Sequence, residues 1–281
     1  MSPSRRDVIR QGVSGGFALA VLPIAETVLA TGADGLTAGD VKIATAAGEI
    51  PAYRAQPHDT KRKAPVLLVV HEIFGVHEHI KDLCRRFAKQ GYFAIAPDLF
   101  ARQGDATKIS DIKQLQQEIV SKASDAQVAG DLDATVAWAS KQPGADAARL
   151  GITGFCWGGR VSWLYAAHQP ALKAAVAWYG RVVGDKDPLH PQHPIDLVGS
   201  LKAPVLGLYG GKDQGISQES LEQLKAALSA SSNPIAKQCD FKIYPEAGHA
   251  FAADYRPSYR KEDAEDGFKR LYGWLKAHGV G

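Results

Sequence analysis

Cysteine is scarce: there are three in 281 residues, too few for a disulfide scaffold. Long apolar runs are missing as well, and no stretch approaches the ~18 residues that a membrane-spanning helix needs. Neither sign of charge prevails. Lys and Arg number 33 against 30 Asp and Glu, and the net charge of +3 excludes nucleic-acid affinity driven by net charge. The absence of an internal repeat, heptad array or long low-complexity tract removes solenoids and coiled coils. What is present has ordinary globular values: 45% hydrophobic, 22% charged and 8% aromatic residues, with a mean hydropathy of −0.18. Such a chain is not disordered over its bulk. Its 30.1 kDa suffices for a sizeable core in one large domain or two small ones, most simply an enzyme.

Residues 1–30 read as an export signal. Ser4-Arg5-Arg6-Asp7-Val8-Ile9-Arg10 supplies a charged start, Val13 to Leu22 an apolar stretch, and Val28-Leu29-Ala30 a small-residue cleavage site. The paired arginines resemble the twin-arginine signal, which makes the twin-arginine export machinery the expected partner of the precursor. The competing reading is an amphipathic helix packed on the domain, and Gly12, Gly15, Gly16 and Pro23 weaken it. Cleavage removes Arg5, Arg6 and Arg10 against Asp7 and Glu26, so the mature chain 31–281 falls from +3 to +2. The expected location is the bacterial periplasm.

Apolar runs then alternate with amphipathic stretches. Val41 to Ala55, with Gly48 near its middle, predicts a hairpin, and Ala64 to His71 predicts a strand covered on both faces. Helices are predicted over Glu78–Gln90, Asp111–Lys122, Asp125–Lys141, Gly158–His168, Ser217–Ala230 and Glu262–His278. Strands are predicted over Tyr92–Ala96, Arg149–Phe155, Lys173–Tyr179, Pro204–Tyr209 and Asp240–Tyr244. Alternation of this kind implies a mainly parallel sheet with helices on both faces and chemistry at the carboxyl ends of the strands.

Three strand ends stand out. Gly154-Phe155-Cys156-Trp157-Gly158-Gly159 is a tight turn that would expose Cys156 above the sheet at a helix N-terminus. Alone, it has a competing reading as a buried thiol in a glycine-rich turn. Asp213, after Gly210-Gly211-Lys212, can orient a histidine or simply cap the helix that follows. His249, in Glu246-Ala247-Gly248-His249, is one of nine histidines and weak by itself. The order Cys156, Asp213, His249 strengthens all three, because nucleophile, acid and histidine follow one another this way in α/β-hydrolases. Glu72 ends the first long apolar strand, where a carboxylate is costly unless paired with a cation or catalytic. His71, His77 and His79 lack the spacing of a metal site, and the Cys-His-Asp pattern calls for no metal or other cofactor.

Together, His71-Glu72-Ile73-Phe74-Gly75, Pro97-Asp98-Leu99-Phe100-Ala101-Arg102, the Cys156 turn, Gly211-Lys212-Asp213 and Gly248-His249-Ala250-Phe251 resemble the dienelactone hydrolase family, over residues 40–278. The resemblance implies a single-domain α/β-hydrolase, monomeric by default. The family's type member, carboxymethylenebutenolidase, opens a dienelactone to maleylacetate. It further implies that Cys156 attacks the ester carbonyl through a thioester, that His249 shuttles the proton, and that Asp213 holds the imidazole. Glu72 would contact the resting thiol and control when the thiolate appears, and the amides of Ile73 and Trp157 would form the oxyanion hole.

Arg102 matches one of two arginines that grip the substrate's carboxylate in the type enzyme. The other position aligns with Ala253, with Arg256 three residues on as a replacement. An export signal is also unusual for a cytoplasmic catabolic pathway. Other expectations are therefore a carboxylesterase or thioesterase with another small acyl substrate, a thiol redox protein resolved by Cys84 or Cys239, or a catalytically silent binding protein. Cys84 and Cys239 would either pair with each other or pack in the core. The stretch from Arg181 to Leu197 would be a lid or plain surface.

Overall fold

The structure, a computed structural model, describes residues 30–281. The expected export signal lies, apart from Ala30, outside the described residues. The chain opens with an antiparallel hairpin, β1 (Leu36–Thr45) and β2 (Gly48–Pro57), longer at both ends than its apolar pattern predicts. Then come β3 (Ala64–Val70), α1 (Glu78–Lys89), β4 (Phe93–Pro97), α2 (Ile112–Glu118), α3 (Asp125–Ala139), β5 (Ala145–Phe155) and α4 (Trp157–His168). The chain closes with β6 (Leu172–Trp178), β7 (Val205–Gly210), α5 (Gln218–Ala230), β8 (Asp240–Tyr244) and α6 (Lys261–Ala277). The eight strands form one sheet in the order β1-β2-β4-β3-β5-β6-β7-β8, and every pair from β4 to β8 is parallel. This is the expected single-domain α/β architecture.

Burial explains the arrangement. Every residue of β3 is buried, as a strand covered on both faces requires. Helices α1 and α6 share one face, where Phe87 meets Phe268 and Tyr272; α3 and α4 contact each other on the other face. Chain order reverses between β3 and β5, since β4 lies on one side of β3 and β5 on the other. Such a switch point opens a crevice at the carboxyl ends of the strands.

Two elements depart from the predicted boundaries. The expected helix over residues 111–122 stops at Glu118 and resumes as a 3-10 turn over Val120–Lys122. Burying the adjacent Ile119 and Val120, then Ala123, beside Phe74 and Phe100 turns the chain out of a straight helix. Strand β5 begins at Ala145 rather than Arg149, because its pairing with β3 jumps from Asp146 to Leu150 across a bulge.

Candidate active site

Cys156 sits at the junction of β5 and α4 with φ 56° and ψ −115°, in the left-handed half of backbone space that non-glycine residues rarely enter. Tight packing around the turn holds it there. A Cβ on Gly154 would collide with the Gly158 carbonyl, and one on Gly158 with the Val70 carbonyl, so both positions require glycine. The Cys156 amide donates to the Trp178 carbonyl at 3.0 Å, which ties the turn to β6. Trp157 is the first residue of α4, where a backbone N–H has no helical acceptor. Among the described residues, neither its N–H nor that of Ile73 donates a hydrogen bond, and both residues line one cavity of about 300 Å³ with Cys156 and His249.

His249 and Asp213 arrive on neighbouring loops. The Gly211 amide donates to the Tyr244 carbonyl (2.7 Å) and the Lys212 amide to the Ala247 carbonyl (2.8 Å), which joins the loops after β7 and β8. Asp213, buried, then lies 2.8 Å from His249 Nδ1 through Oδ2, while its Oδ1 accepts from the Gly215 amide at 2.8 Å. Burial disfavours charge on His249. The negative charge of Cys156 and hydrogen bonds to Asp213 and Cys156 outweigh it and push the imidazole up to about 10. The protonated imidazole is the form these neighbours favour. The non-glycine residues at positive φ among the described residues are Cys156, Tyr179 and Ala250, all at this site. Backbone strain gathered in this way marks a functional centre.

Glu72 ends up differently placed. Its Oε2 accepts from Tyr255 Oη (2.9 Å) and from the Arg256 guanidinium (3.1 Å), and His77 Nε2 lies 3.8 Å away. Burial alone would raise its carboxyl, but the Arg256 charge and His77 hold it well below the usual carboxylate range. Among the described residues, Glu72 therefore accepts its hydrogen bonds from Tyr255 and Arg256 and makes none with the Cys156 thiol. The preceding His71 is neutral in function: its Nε2 accepts from the Leu99 amide at 3.1 Å and its Nδ1 donates to the Glu72 carbonyl at 2.6 Å. Burial lowers it to about 4, which suits that tautomer. Its ring stacks on Trp157 at 5.4 Å, fixing the residue that presents the α4 amide.

Of the sequence-predicted residues, Cys156, Asp213, His249, Ile73 and Trp157 come together around the cavity, with Glu72 one layer behind. Arg102 does not join them. Its guanidinium holds Asp131 through two contacts (2.6 and 2.7 Å) and Thr45 Oγ1 (2.6 Å), away from the cavity wall. Arg256 is likewise committed, to Glu72 and to Tyr255 Oη at 2.9 Å. Sequence reasoning missed Tyr179, whose ring stands edge-on to His249 at 5.2 Å, and Tyr255. Tyr179 follows β6 immediately, so the strand-end rule that found the others would have found it. The Arg181 to Leu197 stretch walls the cavity: Arg181, Asp185, His190 and His193 all face it. Cys84, Cys156 and Cys239 are all free thiols.

A parallel sheet whose strand ends bring a nucleophile turn, a histidine and a carboxylate to one cavity defines the α/β-hydrolase class. Comparison with known proteins narrows this. The model of the dienelactone hydrolase family matches residues 50–279. A protein of Methylorubrum extorquens, provisionally named a carboxymethylenebutenolidase, is 60% identical over 278 residues, covering 99% of this chain and 94% of its own. One from Escherichia coli K12 with the same provisional name is 51% identical, covering 94% and 96%. The crystal structure of a provisionally assigned dienelactone hydrolase from Klebsiella pneumoniae superposes with a TM-score of 0.83 at 52% identity, over 86% of this chain and 98% of that one. This chain belongs to the dienelactone hydrolase family, and it is a hydrolase.

Proposed function

We propose that this hydrolase opens lactones or small esters through a Cys156–His249–Asp213 triad and a thioester intermediate. The observation that carries the reading is the convergence on one cavity of a strained Cys156, an Asp213-bound His249 and the two undonated amides of Ile73 and Trp157. The Cys156 thiolate attacks the carbonyl carbon, and the electron pair of the C=O bond moves to its oxygen, which the two amides receive. Collapse re-forms the carbonyl and expels the alkoxide or enolate, which takes its proton from the His249 imidazolium. In a lactone this leaving oxygen stays tethered. Water then attacks the thioester while neutral His249 accepts its proton; release of the acid returns the thiolate, with His249 again an imidazolium. Asp213 holds the ring through Nδ1 throughout, leaving Nε2 for transfer.

Arg256 and Tyr255 offset the charge of Glu72, so Glu72 does not oppose the thiolate as a bare anion would. A second reading, an esterase or thioesterase for another small acyl group, is favoured by one observation: Arg102 and Arg256 are both bound to carboxylates of the chain itself. Residues 1–30 act as a twin-arginine leader on this proposal, delivering a folded monomer to the periplasm. Arg5-Arg6→Lys-Lys should leave it in the cytoplasmic fraction. Hydrolysis of trans-dienelactone, p-nitrophenyl acetate and an acyl thioester, each with wild type and Cys156→Ala, tests the reaction. Turnover of lactone or ester lost in the variant supports it; turnover that survives the substitution refutes it.

A further inference from the structure

The cavity is bordered by several charged side chains, and most are already spent. Arg160, buried at the start of α4, donates to both Asp125 oxygens (2.6 and 2.8 Å), to the Gln192 carbonyl (2.7 Å) and to His193 Nδ1 (3.3 Å). Asp187 accepts from His190 Nδ1 at 3.0 Å and from two backbone amides, and His190 Nε2 reaches the Ala123 carbonyl at 3.0 Å. His193 Nε2 reaches the Asp185 carbonyl at 2.9 Å. These bonds pin the segment from Asp185 to His193 against α3 and α4. Two charges remain. Among the described residues, neither the Arg181 guanidinium nor the Asp185 carboxylate makes an ion pair or hydrogen bond, although both line the cavity.

Their places differ. Arg181 comes two residues after Tyr179, and a Cβ on the intervening Gly180 would strike the backbone of Gly159 in the nucleophile turn. Arg181 therefore leaves the sheet next to the reacting end of the cavity. Asp185 lies four residues further along the pinned segment.

We propose that Arg181 and Asp185 set the charge preference of the site, with Arg181 contacting a carboxylate carried by the substrate and Asp185 opposing a second negative charge. The proposal rests on the hydrolase reading above and assigns to Arg181 the recognition for which Arg102 and Arg256 are unavailable. A guanidinium offers a carboxylate two parallel donors, and Arg181 and Asp185 are both exposed, so neither has to give up a protein partner to meet a substrate.

The test compares trans-dienelactone with its methyl ester, the same ring without the charge, in wild type, Arg181→Gln, Arg181→Lys and Asp185→Asn. Arg181→Gln should lower the kcat/KM ratio of acid to ester about tenfold, chiefly through KM for the acid. Lysine should restore part of the ratio. Asp185→Asn should shift it the other way, by about two- to threefold. Opposite shifts from the two sites are something a merely structural role would not produce. An unchanged ratio in Arg181→Gln, or a wild type that prefers the ester, overturns the proposal while leaving the hydrolase reading intact. A wild type as inert as Cys156→Ala on both compounds overturns the two together.

Discussion

Two buried carboxylate–cation pairs stand behind the same cavity, and they behave differently. Asp213 and His249 meet at 2.8 Å, with the carboxylate sealed and the imidazole side chain 25% exposed toward the cavity. Glu72 and Arg256 meet at 3.1 Å with both side chains sealed, at 2% and 6% exposure. In the first pair the cation has a third partner, Cys156, to which a proton can pass. In the second, Tyr255 and His77 occupy the remaining space, and the charge has no exit. Similar groups at strand ends thus divide into a pair open to the cavity and a sealed one, and in the proposed mechanism only the open pair takes part in the chemistry.

This contrast can be broken at several points. The largest effect belongs to the open pair. Asp213→Asn should lower kcat/KM by about 10²–10⁴-fold, because the imidazole loses the group that orients it. The pH profile should change with it. In the wild type, kcat/KM should fall as pH rises through about 10, where His249 loses its proton. The Asp213 hydrogen bond raises that value, so its removal should bring the alkaline limb to lower pH. At the sealed pair the loss should appear as stability. Arg256→Met strands Glu72 as a buried charge and should cost about 3–5 kcal/mol in denaturant unfolding. The cost should shrink in Glu72→Gln/Arg256→Met, a non-additivity that the open pair would not show in stability. The carboxyl of Glu72 is depressed in the folded state, so its contribution to stability is present above its ordinary range and is lost as pH falls below it. Arg102→Met should matter least: Asp131 is buried but Arg102 is 22% exposed, so water can reach the vacated place and the cost should be about 2 kcal/mol, with kcat/KM for every substrate within about twofold.

Much of this was legible beforehand, for a physical reason. The nucleophile turn, the Asp213 loop and the His249 loop are local: glycines and a strand-to-helix change of period mark each one, and chain order supplies the rest. β3 declared itself by unbroken apolarity. Partners chosen in three dimensions were not legible. Nothing in Ala101-Arg102-Gln103 says that its guanidinium turns to Asp131 and Thr45 rather than to the cavity. The sequence distance from Glu72 to Arg256 likewise hides a contact made only when β3 and the loop before α6 meet. The break after Glu118 escaped notice because helix and 3-10 turn share one apolar pattern.

The central claim is that Cys156 becomes acylated with the help of His249. The direct measurement is the intact mass of the enzyme quenched in acid within the first turnovers of p-nitrophenyl acetate, followed by peptide mapping. The account predicts one acetyl group on Cys156 in the wild type and none in Cys156→Ala. In His249→Ala, adduct should form more slowly and persist, since no base remains to deacylate it. An acetyl group carried by another residue, or turnover in Cys156→Ala equal to wild type, would contradict it.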